Sequence, residues 1–419
     1  MPVSEANPRG RESLGLYVSI PFCRAKCTYC NFASGVYPAS DHGRYVGRLI
    51  EDLVEAPAWS MSMGVELPPV IDTIYFGGGT PVLLEPELFT RIFNAIRSQF
   101  ELAPGAEITV ECAPGQLSDA TLASMVAAGV NRVSLGVQSF VDREAALCGR
   151  LHTRAQVLDD LRRLRMAGIG NLSIDLLAGL AEQTIESWRE SLAVLIDTGV
   201  PHASVYMLEI DGESRLGREL ISGGARYSAG LVPSDDSIAQ MYEEAVASYA
   251  GAGLEQYEIS NFARRGEQGS DASAHNLRYW QRRPYLGLGL DASSMLRSED
   301  GLVLRATTTG NLVEYLGNSS ISPETAWLEP SQQLEEAWFL GLRRNAGVAM
   351  EALGEEFGVA AVEPSASVAL RLAEDGLLTV ENGTVRLTNR GRLISNDVFA
   401  EFLGLGTFLE ADRIPAIAD

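Results

Sequence analysis

Regular patterning begins near Leu14 and continues to about Leu208. Over this stretch, short apolar runs alternate with longer segments whose apolar residues recur every three or four positions. The runs LYVSI (Leu16–Ile20), IDTIYF (Ile71–Phe76), EITVEC (Glu107–Cys112), RVSLGVQ (Arg132–Gln138), LSIDLL (Leu172–Leu177) and HASVYML (His202–Leu208) are rich in β-branched and aromatic residues. They predict six strands. The segments between them, such as SDATLASMVAAG and TRAQVLDDLRRLRMAG, open with Ser or Thr and close with Gly, which predicts capped helices. Strands alternating with helices give a parallel sheet covered by helices. Six βα units are two short of a closed eightfold barrel. The predicted fold is therefore α/β, a partial (β/α)6 TIM-like barrel with its mouth at the carboxyl ends of the strands.

The pattern then changes twice. Pro233–Gly253 reads as another helix. QYEISNFARRG leads into HNLRYW and PYLGLGLDASSML, rich in Gly and aromatics, read as strands and turns. DGLVLRATTTGNLVEYL predicts a hairpin strand and a helix. From Pro330, SQQLEEAWFLGLRR, MEALGEEFG and SASVALRLAEDG predict three helices, and LLTVENGTVRLT a hairpin around Asn382-Gly383. Three helices and a β-wing resemble a winged-helix module. The expected division is a disordered N-terminus (1–13), the partial barrel (14–230), an α/β extension (231–325), a winged-helix-like domain (326–405) and a tail (406–419).

Charge narrows the partners. The 419 residues carry a formal net charge of −22. Nucleic-acid binding draws on basic surface to displace counterions, so no nucleic-acid partner is expected, and the winged module reads as a protein contact or lid. No run approaches the roughly eighteen apolar residues of a membrane helix, and MPVSEANPRGRES lacks the apolar core of a signal peptide. The expectation is a cytoplasmic protein that does not span a membrane, monomeric or dimeric. All five cysteines (Cys23, Cys27, Cys30, Cys112, Cys148) lie in the first 150 residues. An odd, clustered set argues for metal or redox chemistry over a disulfide framework.

Three of them are packed into SIPFCRAKCTYCNFAS, spaced C-x3-C-x2-C. A structural zinc takes four ligands. Position 31 is Asn, and His42 is the nearest histidine. Three thiolates suit a [4Fe-4S] cluster whose fourth iron is left for an exogenous ligand. The loop, with Tyr17 before it and Phe22, Tyr29 and Phe32 within it, resembles the radical S-adenosylmethionine (SAM) superfamily, in which SAM chelates that open iron. YFGGGTP (Tyr75–Pro81) follows the second strand and resembles the superfamily's GGTP element. Glu111 ends the third strand, where a carboxylate can accept both hydroxyls of a ribose. Gln138 ends the fourth. Arg150 can bond a carboxylate. Asp175 lies in an apolar strand and needs a partner, either Arg150 or the cofactor. In this order the motifs resemble the family of oxygen-independent coproporphyrinogen III oxidases and HemW haem chaperones, from about Leu16 to Gly289. The resemblance implies SAM contacts from Tyr17, Gly78, Gly79, Thr80, Glu111, Gln138, Arg150 and Asp175, with Tyr29 in the same cofactor-binding set.

Two features select a branch. The oxidases carry a further cysteine two residues after the third ligand, where this chain has Phe32. The segment SAHNLRYWQRRPYLGLG resembles the HemW signature HNxxYW, here His275, Asn276, Tyr279 and Trp280. An imidazole can ligate haem iron axially, so the resemblance implies His275 as a haem ligand, with Tyr279 and Trp280 stacking on the porphyrin. Three departures stand out. Asn31 replaces the usual Asp, AGLAEQT (Ala178–Thr184) replaces a YGLPGQT turn, and Cys112 stands in an EANP-like turn. Cys148 has no evident role. The expected function is a haem chaperone passing haem to an acceptor protein, with a membrane-bound respiratory acceptor implied by the resemblance, rather than a coproporphyrinogen dehydrogenase. The alternative is the oxidase itself, an enzyme of porphyrin biosynthesis. A radical SAM enzyme modifying RNA is disfavoured by the acidic charge.

Overall fold

The computed structural model describes residues 12–405 except 267, 268 and 319. The expected tail 406–419 and residues 1–11 of the expected N-terminal segment lie outside the described residues. All six expected strands form: β1 (Leu14–Ile20), β2 (Val70–Gly78), β3 (Glu101–Cys112), β4 (Arg132–Gln138), β5 (Asn171–Ala178) and β6 (His202–Met207). They pair in this order, all parallel. Helices α1 (Ser40–Ser62), α2 (Pro86–Gln99), α3 (Asp119–Ala128), α4 (Asp142–Leu147), α5 (Arg154–Met166) and α6 (Ile185–Thr198) fill the crossovers. The capping signals act as read. Ser118 accepts a hydrogen bond from the Thr121 N–H at the start of α3, and Gly129 ends it at φ 86°. Thr184 and Gly199 do the same for α6. Strand β1 is buried along nearly its whole length, the usual state of a parallel strand covered on both faces.

The segment after β6 runs through α7 (Arg215–Ile221) and α8 (Asp235–Gly251) to two short strands, β7 (Glu255–Gln256) and β8 (Asn261–Ala263). Strand β8 lies antiparallel to β6 and carries β7 at the sheet edge. A small hairpin, β9 (Arg265–Gly266) and β10 (Gly269–Ser270), follows. HNLRYW departs from its expected strand-and-turn form. It is a helix, α9 (Ala274–Trp280), capped by Ser273. Then β11 (Tyr285–Leu288) pairs in parallel with β1, so the parallel run has seven strands. Strands β12 (Ser293–Arg297), β13 (Val303–Thr307) and β14 (Glu324–Leu328) extend it as an antiparallel meander, with α10 (Leu312–Gly317) between the last two. The result is one open sheet of twelve strands among the described residues. The expected extension 231–325 thus builds both edges of the barrel's own sheet, and β14 straddles the expected boundary at 325/326.

The C-terminal module has its own core around Trp338, Leu342, Leu372, Val385 and Phe402. It contains α11 (Pro330–Arg343), β15 (Val348–Ala349), α12 (Met350–Phe357), α13 (Val359–Glu374) and the wing β16 (Leu378–Glu381) and β17 (Thr384–Leu387). Asn382 and Gly383, at φ 50° and 74°, form the expected tight turn.

Candidate functional site

The cysteine loop is built before any thiol is considered. Its base closes through Gly35 N–H to the Pro21 carbonyl (2.9 Å) and Cys23 N–H to the Gly35 carbonyl (2.8 Å). Its outer side is held by Thr28 N–H on the Cys148 carbonyl (3.0 Å) and Leu216 N–H on the Thr28 carbonyl (2.8 Å). The Gly-rich turn after β2 is fastened to it backbone to backbone. Gly79 N–H donates to the Ile20 carbonyl and Thr80 N–H to the Phe22 carbonyl, each at 2.8 Å. Gly78 turns at φ 99°. A Cβ on Gly79 would stand 2.8 Å from the Phe22 carbonyl oxygen, so glycine is required there by space.

All three loop thiols are free, and all line one cavity of about 670 Å³. Thr80 Oγ1 lies 4.0 Å from Cys23 Sγ, Ser34 Oγ 4.0 Å from Cys30 Sγ, and Arg150 Nη1 3.5 Å from Cys27 Sγ. The same cavity is lined by Tyr29, Gly78, Gly79, Thr80, Glu111, Gln138, Arg150 and Asp175. The carboxyl ends of successive strands bring these expected residues together. Gln138 ends β4 at φ 71° beside a register shift, a left-handed conformation uncommon for a residue with a side chain.

Two carboxyl groups borne on the strands, Glu111 and Asp175, line the cavity. Glu111 accepts from the Tyr75 hydroxyl at 2.8 Å, and burial pushes its pKa up to about 7 against the pull of that bond. Asp175 accepts from Ser134 at 3.1 Å on each oxygen, and burial raises its pKa too. The expected partner Arg150 turns instead to the Gly136 carbonyl and Cys27. Tyr17 lies one layer behind. Its ring stacks on Tyr75 at 6.2 Å, and it is not part of the cavity wall.

His275 is placed differently from its expected role. Glu107 on β3 accepts from the Ala274 and His275 N–H groups (2.9 and 3.0 Å), which pins the start of α9 beneath the sheet. The ring is fully buried, with Nδ1 on Thr73 Oγ1 (2.9 Å) and Nε2 on the Tyr279 hydroxyl (2.8 Å). It stacks on Tyr75 at 5.3 Å and lies outside the cavity wall. Burial lowers its pKa to about 3. Both nitrogens are engaged, so in this arrangement no lone pair is offered to an iron. Tyr279 packs edge-on against Tyr285, and Trp280 lies 4.3 Å under the Arg343 guanidinium. The HNxxYW helix is thus a wedge between the sheet and α11.

Sequence reasoning passed over the loop after β6. Met207, Glu209, Ile210 and Asp211 form one wall of the cavity, joined by Leu151 and His152. The strand-end rule for barrels was the available signal. Two of the departures have local explanations. Asn31 donates to Asp211 at 2.5 Å, where an aspartate would face a second carboxylate. Glu182 stands at φ 67°, in the left-handed region, where the resembled turn carries glycine. It pairs with Arg143.

Among the described residues no group of three His, Cys, Asp or Glu side chains converges on a single metal ion. Thiolates that grip separate corners of a multi-iron cluster need no such convergence. His42, the nearest histidine, is taken by Glu85 at 3.1 Å and by the Phe22 ring. Cys112 lies across the cavity with its thiol on the Ala113 carbonyl at 3.6 Å, and burial raises its pKa. The donor set fits three thiolates from one loop and an open position beyond them.

Comparison with known proteins agrees with this geometry. Residues 17–195 match the model of the radical SAM superfamily and residues 328–394 that of the HemN C-terminal domain. The superfamily implies a [4Fe-4S] cluster and SAM. The haem chaperone HemW of Lactococcus lactis is 33% identical over 92% of this chain and 96% of its own. HemW of Bacillus subtilis is 32% identical over 93% and 98%. In fold, the chain is similar to the coproporphyrinogen III oxidase HemN of Escherichia coli, with a TM-score of 0.77 over 94% of this chain and 90% of that one at 22% identity. The chain belongs to the HemW haem chaperone family of radical SAM proteins.

Proposed function

We propose that this protein is a haem chaperone that holds a [4Fe-4S] cluster on Cys23, Cys27 and Cys30, seats SAM beside it, binds haem and hands it to a haem-requiring acceptor. The observation that carries the reading is the near end-to-end match to HemW chains, over 92% of this chain, on a fold whose three loop thiols open into one cavity. Within that cavity the chain's residues divide the work of holding SAM. Gly78, Gly79 and Thr80 present close backbone to the methionine amino group. Arg150 and Gln138 serve its carboxylate. Glu111 and Asp175 face the ribose and the cationic part of the ligand. When bound, the cluster and SAM supply one-electron chemistry that gates or drives transfer.

Phe32 supports the chaperone branch. It is 63% exposed on the cavity wall, at the position where the oxidases carry a further cysteine. With the exposed Leu151 and Ile210 it gives the mouth an apolar rim suited to a flat tetrapyrrole. The acceptor implied by this reading is a membrane-associated respiratory haem protein. No described helix is long and apolar enough to cross a membrane.

The test is an anaerobic haem titration of the reconstituted protein, wild type beside His275→Ala, followed by haem absorbance. Stoichiometric binding is expected in both, with the variant destabilised by about 1–3 kcal/mol from the hydrogen bonds it orphans. A wild type that binds no haem but converts coproporphyrinogen III would overturn the chaperone reading. Binding abolished in a folded His275→Ala variant would restore that residue as a ligand.

A further inference from the structure

A buried chain of polar groups leads away from the cavity floor. His202, at the start of β6, is fully buried and lies outside the cavity wall. Its Nδ1 is 2.7 Å from Ser173 Oγ and its Nε2 2.9 Å from the Tyr257 hydroxyl. Ser173 Oγ reaches Asp175 Oδ1 at 3.4 Å. At the other end, the N–H of Ser273, the capping residue of α9, donates to the Tyr257 oxygen at 3.2 Å.

The direction of each bond follows from what each group can give. Tyr257 oxygen already accepts from Ser273 N–H, so its own proton is free to donate to His202 Nε2. Burial, with the nearby Arg132 charge, holds the His202 pKa well below its ordinary value. The ring is therefore neutral and carries one N–H. With Nε2 accepting, that N–H is on Nδ1 and donates to Ser173. Ser173 then turns its own proton to the Asp175 carboxylate, the one acceptor left to it in the chain.

We propose that His202 is a positioning residue for the SAM cavity: through Ser173 it orients the Asp175 carboxylate, and through Tyr257 it takes its tautomer from the cap of α9. This rests on the reading that Asp175 faces bound SAM. It makes the HNxxYW helix a second support of the cavity, from below, alongside the contact of His275 with Tyr75.

The relay makes a prediction that packing alone does not. Without the Tyr257 proton, the His202 ring is free to move its N–H to Nε2. Nδ1 then accepts from Ser173, and Asp175 loses that donor while every buried ring keeps its shape. Tyr257→Phe is therefore expected to weaken SAM binding by about fivefold to tenfold, measured by calorimetry on the cluster-reconstituted protein, with iron and sulfide content unchanged. His202→Ala leaves Ser173 no acceptor in the chain but Asp175, so it is expected to lose less SAM affinity than Tyr257→Phe despite a larger fall in melting temperature. His202→Asn keeps a donor where Nδ1 stood, and is expected to recover SAM affinity without recovering thermal stability.

Affinities that simply track melting temperature across the three variants, or wild-type affinity in Tyr257→Phe, would overturn the relay and leave the haem chaperone reading intact. A wild-type holoprotein that binds haem but no SAM would remove the ligand on which the relay depends, and the proposal with it.

Discussion

Gly79→Ala tests how the site is assembled. The added Cβ would meet the Phe22 carbonyl oxygen at 2.8 Å, the Ile20 carbonyl oxygen at 2.9 Å and the Pro21 carbonyl carbon at 2.9 Å, all backbone. Ordinary contact begins near 3.4 Å, so the turn must retreat by 3.4 − 2.8 = 0.6 Å. The carbonyls of Phe22 and Ile20 also accept the two hydrogen bonds that fasten this turn, at 2.8 Å each. A retreat of that size stretches both to about 3.4 Å, beyond the range in which an N–H···O bond holds its strength. Overpacking at about 1–3 kcal/mol and two weakened bonds at about 0.5–1.5 each sum to roughly 2–6 kcal/mol. The stiffer unfolded chain returns about 0.4–1 of this. Gly170→Ala, where an added Cβ meets nothing within 4 Å, is the control. After anaerobic reconstitution, Gly79→Ala is expected to hold less iron and sulfide per chain and to bind SAM at least tenfold more weakly, with Gly170→Ala indistinguishable from wild type. Wild-type iron content and SAM affinity in Gly79→Ala would refute the claim that the turn and the cysteine loop are one rigid unit.

Replacing Cys23, Cys27 or Cys30 singly with Ala should abolish cluster incorporation, whereas Cys112→Ser and Cys148→Ser should retain it; iron and sulfide analysis separates the two groups. Glu111 has a folded-state pKa of about 7 against an ordinary 4.5, so folding favours its protonated form. That contribution is complete below about pH 4.5 and is lost as the pH rises through 7. Relative to Glu111→Gln, the ligand-free wild type should lose on the order of 1–3 kcal/mol between pH 5 and pH 7.5 in denaturant titrations, the upper end being discounted because the carboxylate faces the cavity. Glu182→Gly relieves a left-handed conformation worth about 1–2 kcal/mol and gives up a surface ion pair worth less. Its melting temperature should hold or rise, while Glu186→Gly, in the first turn of α6, should cost about 1 kcal/mol. A fall of equal size in both would show that the Glu182 backbone is unstrained.

The barrel was legible because its strands are buried on both faces and so read as unbroken apolar runs, as in Leu16–Ile20 and Leu172–Leu177. Their carboxyl ends then placed Glu111, Gln138 and the glycine turn at one mouth. The extension was not legible in the same way. Helix α9 has seven residues, too few for a helical period to emerge among aromatic and charged side chains. Strand β11 pairs with a strand some 270 positions earlier, and nothing local to Tyr285–Leu288 announces that partner. The surroundings of His275 were hidden for a related reason. A histidine beside Tyr and Trp looks alike in sequence whether its nitrogens face a ligand or, as here, Thr73 and Tyr279. The departures were visible as exchanged letters, but only φ at Glu182 and the bond from Asn31 to Asp211 say what each exchange does.

The pairing of β11 with β1 also bears on the order in which the molecule is made. Strand β1 leads directly into the cysteine loop, and one of its two edges stays bare until Tyr285–Leu288 has been synthesised. A nascent chain that has completed the six barrel strands still presents LGLYVSI as an apolar, hydrogen-bond-hungry border, the kind that recruits other chains. A fragment ending near residue 230 would keep every cluster and SAM candidate, yet it would keep that border too, and should be recovered as aggregate. The late segment therefore acts as an internal seal, closing the sheet beside the thiols only once most of the protein has emerged.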